Sequence, residues 1–293
     1  MCQGNVKDWS DLTSTGFLMP FYQPTRRSFI ALIGSAAATA CTPTPEEAEN
    51  VPDGEMTPEQ LRENYGFVPV EGYGPLEDNG YNLPPVHPNF LQWPNRRQLV
   101  FYEGEEEPGT IEIDPHAKFL YLILEDGTAW RYPIAVGRAG LALRGTTTIR
   151  VKKEWPGWTP TANMLRTQPE VYGPFRRGVE GGLASPLGAR ALYLYRGNRD
   201  SHFRIHGTND LASIGNSGSA GCIRLFNHDI IDLFEKVEIP TTVRIRTLED
   251  SVRLLGAENT PRGVELPPTI ISPETIYGAV EVEDESGSDD SDA

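Results

Sequence analysis

In the stretch RIHGTNDLASIGNSGSAGCIRL, Arg204 to Leu225, His206 precedes Cys222 by 16 residues, and glycines and other small residues fill much of the interval. A thiol and an imidazole are the parts of a nucleophile and its base. A cysteine with an ordinary pKa near 8.5 is a weak nucleophile at neutral pH until a neighbouring imidazole shares its proton. Gly221, directly before Cys222, has no side chain to keep a substrate from the backbone. Backbone N–H groups of the Ser219-Ala220-Gly221-Cys222 turn are suited to the oxyanion that forms when a thiolate attacks a carbonyl. Arg224, two residues on and therefore on the same strand face as Cys222, suits either a substrate carboxylate or the bracing of the loop.

A sheet is the expected support for this pair. In HFRIHG, Phe203 and Ile205 alternate with His202, Arg204 and His206, so His206 ends a strand on the face opposite the apolar pair and Gly207 opens the loop. His202 does not share a metal ion with it, because four residues of strand span roughly 13 Å, against ligand distances near 2 Å for zinc. His87, His116 and His228 fall in an extended stretch, a turn and a helix start, and no metal site is expected. The surrounding chain reads as short strands. FLYLILEDGTAWRYPIAVG turns at Asp126-Gly127, ARALYLYRGNRDSHFRIHG turns at Gly197-Asn198, and TIEIDP, GTTTIRV and TVRIRTL continue the style. One helix stands out in NHDIIDLFEKV, with Asn227 as its cap and Ile230, Ile231, Phe234 and Val237 on one face. Many short strands with few helices predict a mainly β domain, a sandwich or barrel.

The flanks differ in composition. The net charge is −15, yet the span from Arg96 to Leu248 carries 20 Lys or Arg against 17 Asp or Glu. The acid sits in TPEEAENVPDGEMTPEQ, in EGEEEPG and in the tail EVEDESGSDDSDA, which has seven carboxylates and no base. Such a tail lacks the apolar surface to order itself, and without a basic stripe no nucleic-acid partner is expected. TRRSFIALIGSAAATAC holds Arg26 and Arg27, an apolar run from Phe29, and Ala38-Thr39-Ala40 ahead of Cys41. That is the layout of an export signal with a twin-arginine start, too short to span a bilayer. Cys41 is either the residue after simple cleavage or a lipidated anchor. With the signal removed Cys2 is lost and Cys41 lies on a Pro-rich leash, which leaves Cys222 as a thiol rather than half of a disulfide. The expected organisation is an export signal over 1–40, a Pro- and Glu-rich tether over 41–95, a catalytic domain over 96–248 and an extended, acidic, disordered tail over 249–293.

IHGTND followed by SAGCIRL resembles the catalytic motif of the L,D-transpeptidases of the YkuD type, in which H-G-T precedes S-x-G-C-[IV]-R at this spacing. GRAGLALRGTTTIRVKKEWPGWTPTANM and PLGARALYL are similar to the corresponding segments of exported Gram-negative members, and the likeness runs from about Arg97 to Leu248. The resemblance implies a β-sandwich enzyme of the periplasm or cell envelope that acts on peptidoglycan stem peptides. Carried across, Cys222 is the nucleophile, His206 its base, and the carbonyl of Gly207 the group that orients the imidazole; Asp210 is an alternative orienter outside the family pattern. Many members place a second histidine just before the Gly-Cys pair, where this chain has Ala220, so His206 acts alone. Thr208, Ser219, Gly221 and Arg224 fall in the oxyanion and substrate-binding region, and Trp155 and Trp158 are candidates to line the donor groove.

The implied reaction is acyl transfer in two steps, with no metal or organic cofactor. Cys222 attacks the carbonyl of the third residue of a tetrapeptide stem, expels the terminal D-Ala and holds the stem as a thioester, which an amine of a second stem resolves into a cross-link. Two other acceptors suit the same site: a lysine of an outer-membrane protein, giving an anchoring enzyme, or water, giving an L,D-carboxypeptidase. A papain-like hydrolase requires the cysteine before the histidine, the reverse of the order here. A non-catalytic wall-binding module is the reading from another class, supported by the tether and opposed by the intact His-Cys pair.

Overall fold

Local signals set where the elements begin and end in the structure, a computed structural model that describes residues 56–137, 140, 143–217, 221–267 and 269–271. Helix α1 (Pro58–Tyr65) starts on a capping box of Thr57 with Gln60 and stops at Gly66 in the left-handed region. Strands β1 (Leu76–Asp78) and β2 (Tyr81–Leu83) form a hairpin closed by Asn79-Gly80, both at positive φ as a tight turn demands. Then come β3 (Gln98–Phe101), β4 (Ile111–Asp114), β5 (Phe119–Ile123), β6 (Thr128–Pro133), β7 (Ala135–Val136) and β8 (Gly145–Glu154). Two short helices, α2 (Ala162–Thr167) and α3 (Pro169–Tyr172), precede β9 (Arg190–Arg196), β10 (Arg199–His206) and β11 (Ile223–Arg224). Helix α4 (Asn227–Lys236), β12 (Thr241–Ile245) and α5 (Leu248–Leu255) complete the order.

The ten strands from β3 onward form one mixed sheet, in the order β3-β6-β5-β4-β12-β8-β9-β10-β11-β7. Its parallel pairs among the described residues are β4 with β12 and β10 with β11. The hairpins expected at Asp126-Gly127 and Gly197-Asn198 are both present, as β5–β6 and β9–β10. One core takes Ile111, Leu120 and Tyr132 from one half of the sheet, Leu192, Ile205 and Ile223 from the other, and Ile230, Leu233 and Phe234 from α4. A sheet whose two halves bury side chains in the same core is curled over on itself, which gives the expected mainly β, sandwich-like layering with a few short helices.

Both flanks are more folded than their composition predicts. Tyr73, Val86 and Leu91, placed by the sequence reading in a tether, are buried with Leu211, Ile214 and Phe226. Asp78 receives two hydrogen bonds from the Arg190 guanidinium, each 2.7 Å. The described part of the expected tether is thus a packed layer behind the loops that follow His206 and Cys222. Helix α5 lies where a disordered tail was expected. Its Leu255 packs on the cluster of Phe119 and Tyr121, and Ser251 Oγ donates to Asp114 Oδ2 at 2.6 Å. Arg246 completes that buried network, 2.6 Å from Glu112 and 3.3 Å from Asp114. Single apolar residues between prolines and glycines carry no period, so only their distant partners reveal that they are core. The export signal, Cys41 and the acidic end from Glu281 lie outside the described residues.

Candidate active site

Strand pairing brings His206 and Cys222 to one place. β10 and β11 run parallel with Ile205 opposite Ile223 and His206 opposite Arg224, so Cys222 sits one residue before this register, beside the end of β10. The N–H of Leu225 donates to the carbonyl of His206 at 2.9 Å and ties the two strand ends. Ile205 is buried in the core, which turns His206 to the other face, where its ring borders a cleft together with Cys222 and Arg224.

The imidazole is oriented by its own neighbour. His206 Nδ1 lies 2.5 Å from the carbonyl oxygen of Gly207. A carbonyl only accepts, so Nδ1 carries the proton and Nε2 is the basic nitrogen. The carbonyl is held in turn, because Gly207 has no room to move: a Cβ there would meet Asn227 Oδ1 at 2.1 Å and Ala189 N at 3.1 Å. Asn227 was expected to cap α4, but Phe226 takes the cap position with no side-chain bond, and the Asn227 carboxamide instead accepts from Ala189 N at 2.9 Å. Asp210, the alternative orienter, pairs with Arg224 at 3.1 Å.

Cys222 is a partly exposed thiol, not half of a disulfide. Gly221 before it has φ 145°, in the region that favours glycine, and a Cβ on Gly140 would lie 2.3 Å from the Gly221 carbonyl oxygen. Burial raises the pKa of the Cys222 thiol, with Arg204 and Arg224 opposing it. Burial likewise pushes His206 down to about 3, the Arg224 cation adding to the effect. Both shifts favour the uncharged forms, a thiol and a neutral imidazole. A sign follows for pH. A raised thiol pKa means that the thiolate fraction at pH 7 is below that of an ordinary cysteine and still rising at pH 9. Alkylation of Cys222 by iodoacetamide should accelerate by up to tenfold per unit from pH 7 to 9, with no plateau near pH 6. A rate already flat between pH 6 and 8 would mean that a standing thiolate–imidazolium pair exists instead.

The other residues singled out by sequence separate into two groups. Trp158 lines the cleft together with Cys222, His206, Tyr172 and Leu187. Trp155 does not reach it: its indole N–H donates to Asp78 Oδ2 at 2.6 Å and its ring packs on Tyr81, centroids 4.5 Å apart, beside Leu83 and Ala189. Thr208 is buried, and its Oγ1 accepts from Asp210 N at 3.0 Å, so it shapes the turn after His206 rather than the cleft. Arg224 borders the cleft while its Nη1 holds Asp210, both side chains nearly buried at 13% and 8% exposed. Ser219 lies outside the described residues. The excursion between β8 and β9 supplies much of the cleft wall, its base closed by Trp155 N donating to Ala189 O at 2.7 Å and its middle by the Trp158–Val179 bridge. The roles of Asn227, of the Asp78–Arg190 pair and of Ile270, which also lines the cleft, carry no local sequence signal.

Residues 108–245 match the family model described as the L,D-transpeptidase catalytic domain, YkuD. The chain is similar to "Probable L,D-transpeptidase YbiS" of Escherichia coli K12, 34% identical over 188 residues, which covers 64% of this chain and 59% of that protein. It is 36% identical to the Bacillus subtilis 168 protein YkuD, named as an L,D-transpeptidase, over 50% of this chain and 74% of that one. Among solved structures, a Brucella melitensis protein described as a probable carnitine operon oxidoreductase is 47% identical over 52% of this chain and 94% of its own, with a TM-score of 0.37.

Proposed function

This chain belongs to the L,D-transpeptidase family of the YkuD type, and from that premise we propose that it is a cysteine acyltransferase acting on peptidoglycan stem peptides. The observation that carries the reading is the pairing of β10 with β11, which sets the end of one strand, His206 with Nδ1 on the Gly207 carbonyl, beside Cys222 at the start of the other. In this reading Nε2 takes the thiol proton while Sγ attacks the carbonyl of the third stem residue. The collapse of the tetrahedral intermediate breaks the amide to the terminal D-Ala, and the imidazolium returns its proton to the leaving amine. The N–H groups around Gly221 and Cys222 are the candidates to receive the oxyanion. A primary amine of a second stem then attacks the thioester, the C–S bond breaks, and the thiol is regenerated.

The decisive test is incubation of the purified protein with a tetrapeptide stem and analysis of products by mass. Dimers with free D-Ala support transfer, tripeptide alone indicates an L,D-carboxypeptidase, and absence of D-Ala release together with retention of the stem indicates a wall-binding module. Attachment of an outer-membrane protein is read by supplying its lysine-bearing segment as acceptor.

We further propose export to the cell envelope, supported by Arg26-Arg27 and the apolar run that follows. Changing both arginines to lysine should leave most of the precursor in the cytoplasm. Undiminished delivery would rule out the twin-arginine route, and the mass of the mature N-terminus would separate a lipidated Cys41 from simple cleavage.

A further inference from the structure

Ile270 reaches the cleft from beyond the stretch that matches the family, which ends at residue 245. The strap that carries it is tied to the loop leading into Cys222. Ser217 N donates to Val264 O at 2.8 Å, Leu266 N donates to Ser217 O at 2.8 Å, and Val264 N donates to Asn216 Oδ1 at 3.0 Å. The approach is close enough that a Cβ on Gly263, at φ 79°, would lie 2.1 Å from the Gly215 carbonyl oxygen. Upstream, Arg262 N donates to His116 O at 2.9 Å and Arg262 Nη2 to Asn95 Oδ1 at 3.0 Å, so the strap is anchored before it turns towards the site. Beyond Pro267, Ile270 lines the same cleft as Trp158, Tyr172, Leu187, Cys222 and His206.

The cleft volume is about 60 Å³. A water is held in such a space only where two to four polar groups meet it. Ile270 offers none. A resolving nucleophile that enters by this cleft, water or an amine, passes an apolar side chain in its lining. A water there gives up hydrogen bonds against an apolar wall, whereas an amine carried on an aliphatic arm brings methylenes that pack on it.

We propose that Ile270, beyond the strap segment 262–267, is a specificity-determining wall residue that disfavours water as acceptor and so directs the acyl-enzyme to an amine. The inference rests on the acyl-enzyme reading of Cys222. The two fates of the thioester differ in one atom: attack by the amine nitrogen breaks C–S and forms an amide, attack by water breaks C–S and forms a carboxylate, and in each case a proton from the nucleophile ends on the thiol.

The experiment measures both in one reaction. The full chain is given a tetrapeptide stem as donor and acceptor, D-Ala release reports acylation, and the ratio of tripeptide to dimer reports partition. Ile270→Ala and Ile270→Ser should raise that ratio, counted per D-Ala released, roughly three- to tenfold, the effect of losing about 1 kcal/mol of apolar contact. Ile270→Leu should keep the wild-type ratio. Ending the chain after Gly263 should raise the ratio in the same direction, and ending it after Val280 should not. A ratio unchanged in Ile270→Ala and Ile270→Ser, with D-Ala release normal, would overturn the strap's role and leave the proposed chemistry standing. Wild-type protein that releases no D-Ala would overturn the acyl-enzyme reading itself, and this inference with it.

Discussion

Replacing Cys222 by alanine should abolish D-Ala release from a tetrapeptide stem, a fall of at least about a thousandfold, because among the described residues lining the cleft Cys222 carries the strongest nucleophile. The chain should stay folded. Cys222 is only partly buried, sits at a strand entry and is not half of a disulfide, so a change of this size should move the melting temperature by no more than about 4 °C. Cys222→Ser should fail almost as completely. A hydroxyl ionises far above a thiol and is a much poorer nucleophile with the same base beside it. A carbapenem should add its mass to the wild type and not to either variant, as the family resemblance implies. Retained stem cleavage by Cys222→Ala would end the cysteine mechanism, whereas loss of activity accompanied by loss of the folding transition would say nothing for it, and circular dichroism run beside the assay distinguishes the two.

A second large effect is expected at a residue that never touches substrate. Gly207→Ala places a methyl group 2.1 Å from Asn227 Oδ1, and something must shift. The movable partner is the Asn227 side chain, which holds Ala189 N at 2.9 Å, and a displaced carboxamide leaves that buried N–H unpaired. Any backbone adjustment at Gly207 instead turns the carbonyl that receives His206 Nδ1–H, so the imidazole loses its aim. Stability should fall by about 1–3 kcal/mol. The rate of acylation should fall further than that loss of fold explains, roughly ten- to a hundredfold in kcat measured well below the melting transition. Asn227→Ala alone should cost stability but little rate, since it leaves the Gly207 carbonyl in place. The double variant, with room made for the new methyl, should recover part of the rate and so be non-additive. If Gly207→Ala lowers stability and rate in the same proportion as Asn227→Ala, the carbonyl has no orienting function and Gly207 serves packing alone.

What the sequence by itself determined was whatever short-range pattern can encode. Alternation in HFRIHG set the face of His206, the Asp-Gly and Gly-Asn pairs closed the two hairpins, and the co-occurrence of IHGTND and SAGCIRL marked the family and the pair proposed to react. The tertiary structure alone decided what depends on partners distant in the chain. Asp210, near His206 in sequence, goes to Arg224; Trp155, near Trp158, goes to Asp78, and the asparagine expected to cap α4 instead accepts from Ala189 N. The same holds for the flanks. Tyr73, Val86 and Leu91 look like isolated residues on a Pro-rich leash until Phe226 and Ile214 cover them, and Ile270 looks like part of an acidic tail until the strap brings it to Cys222. Periodicity is a property of neighbours along the chain, and an isolated apolar or polar side chain has none. Its burial is decided by which surface, a hundred or more residues away, the folded backbone sets against it.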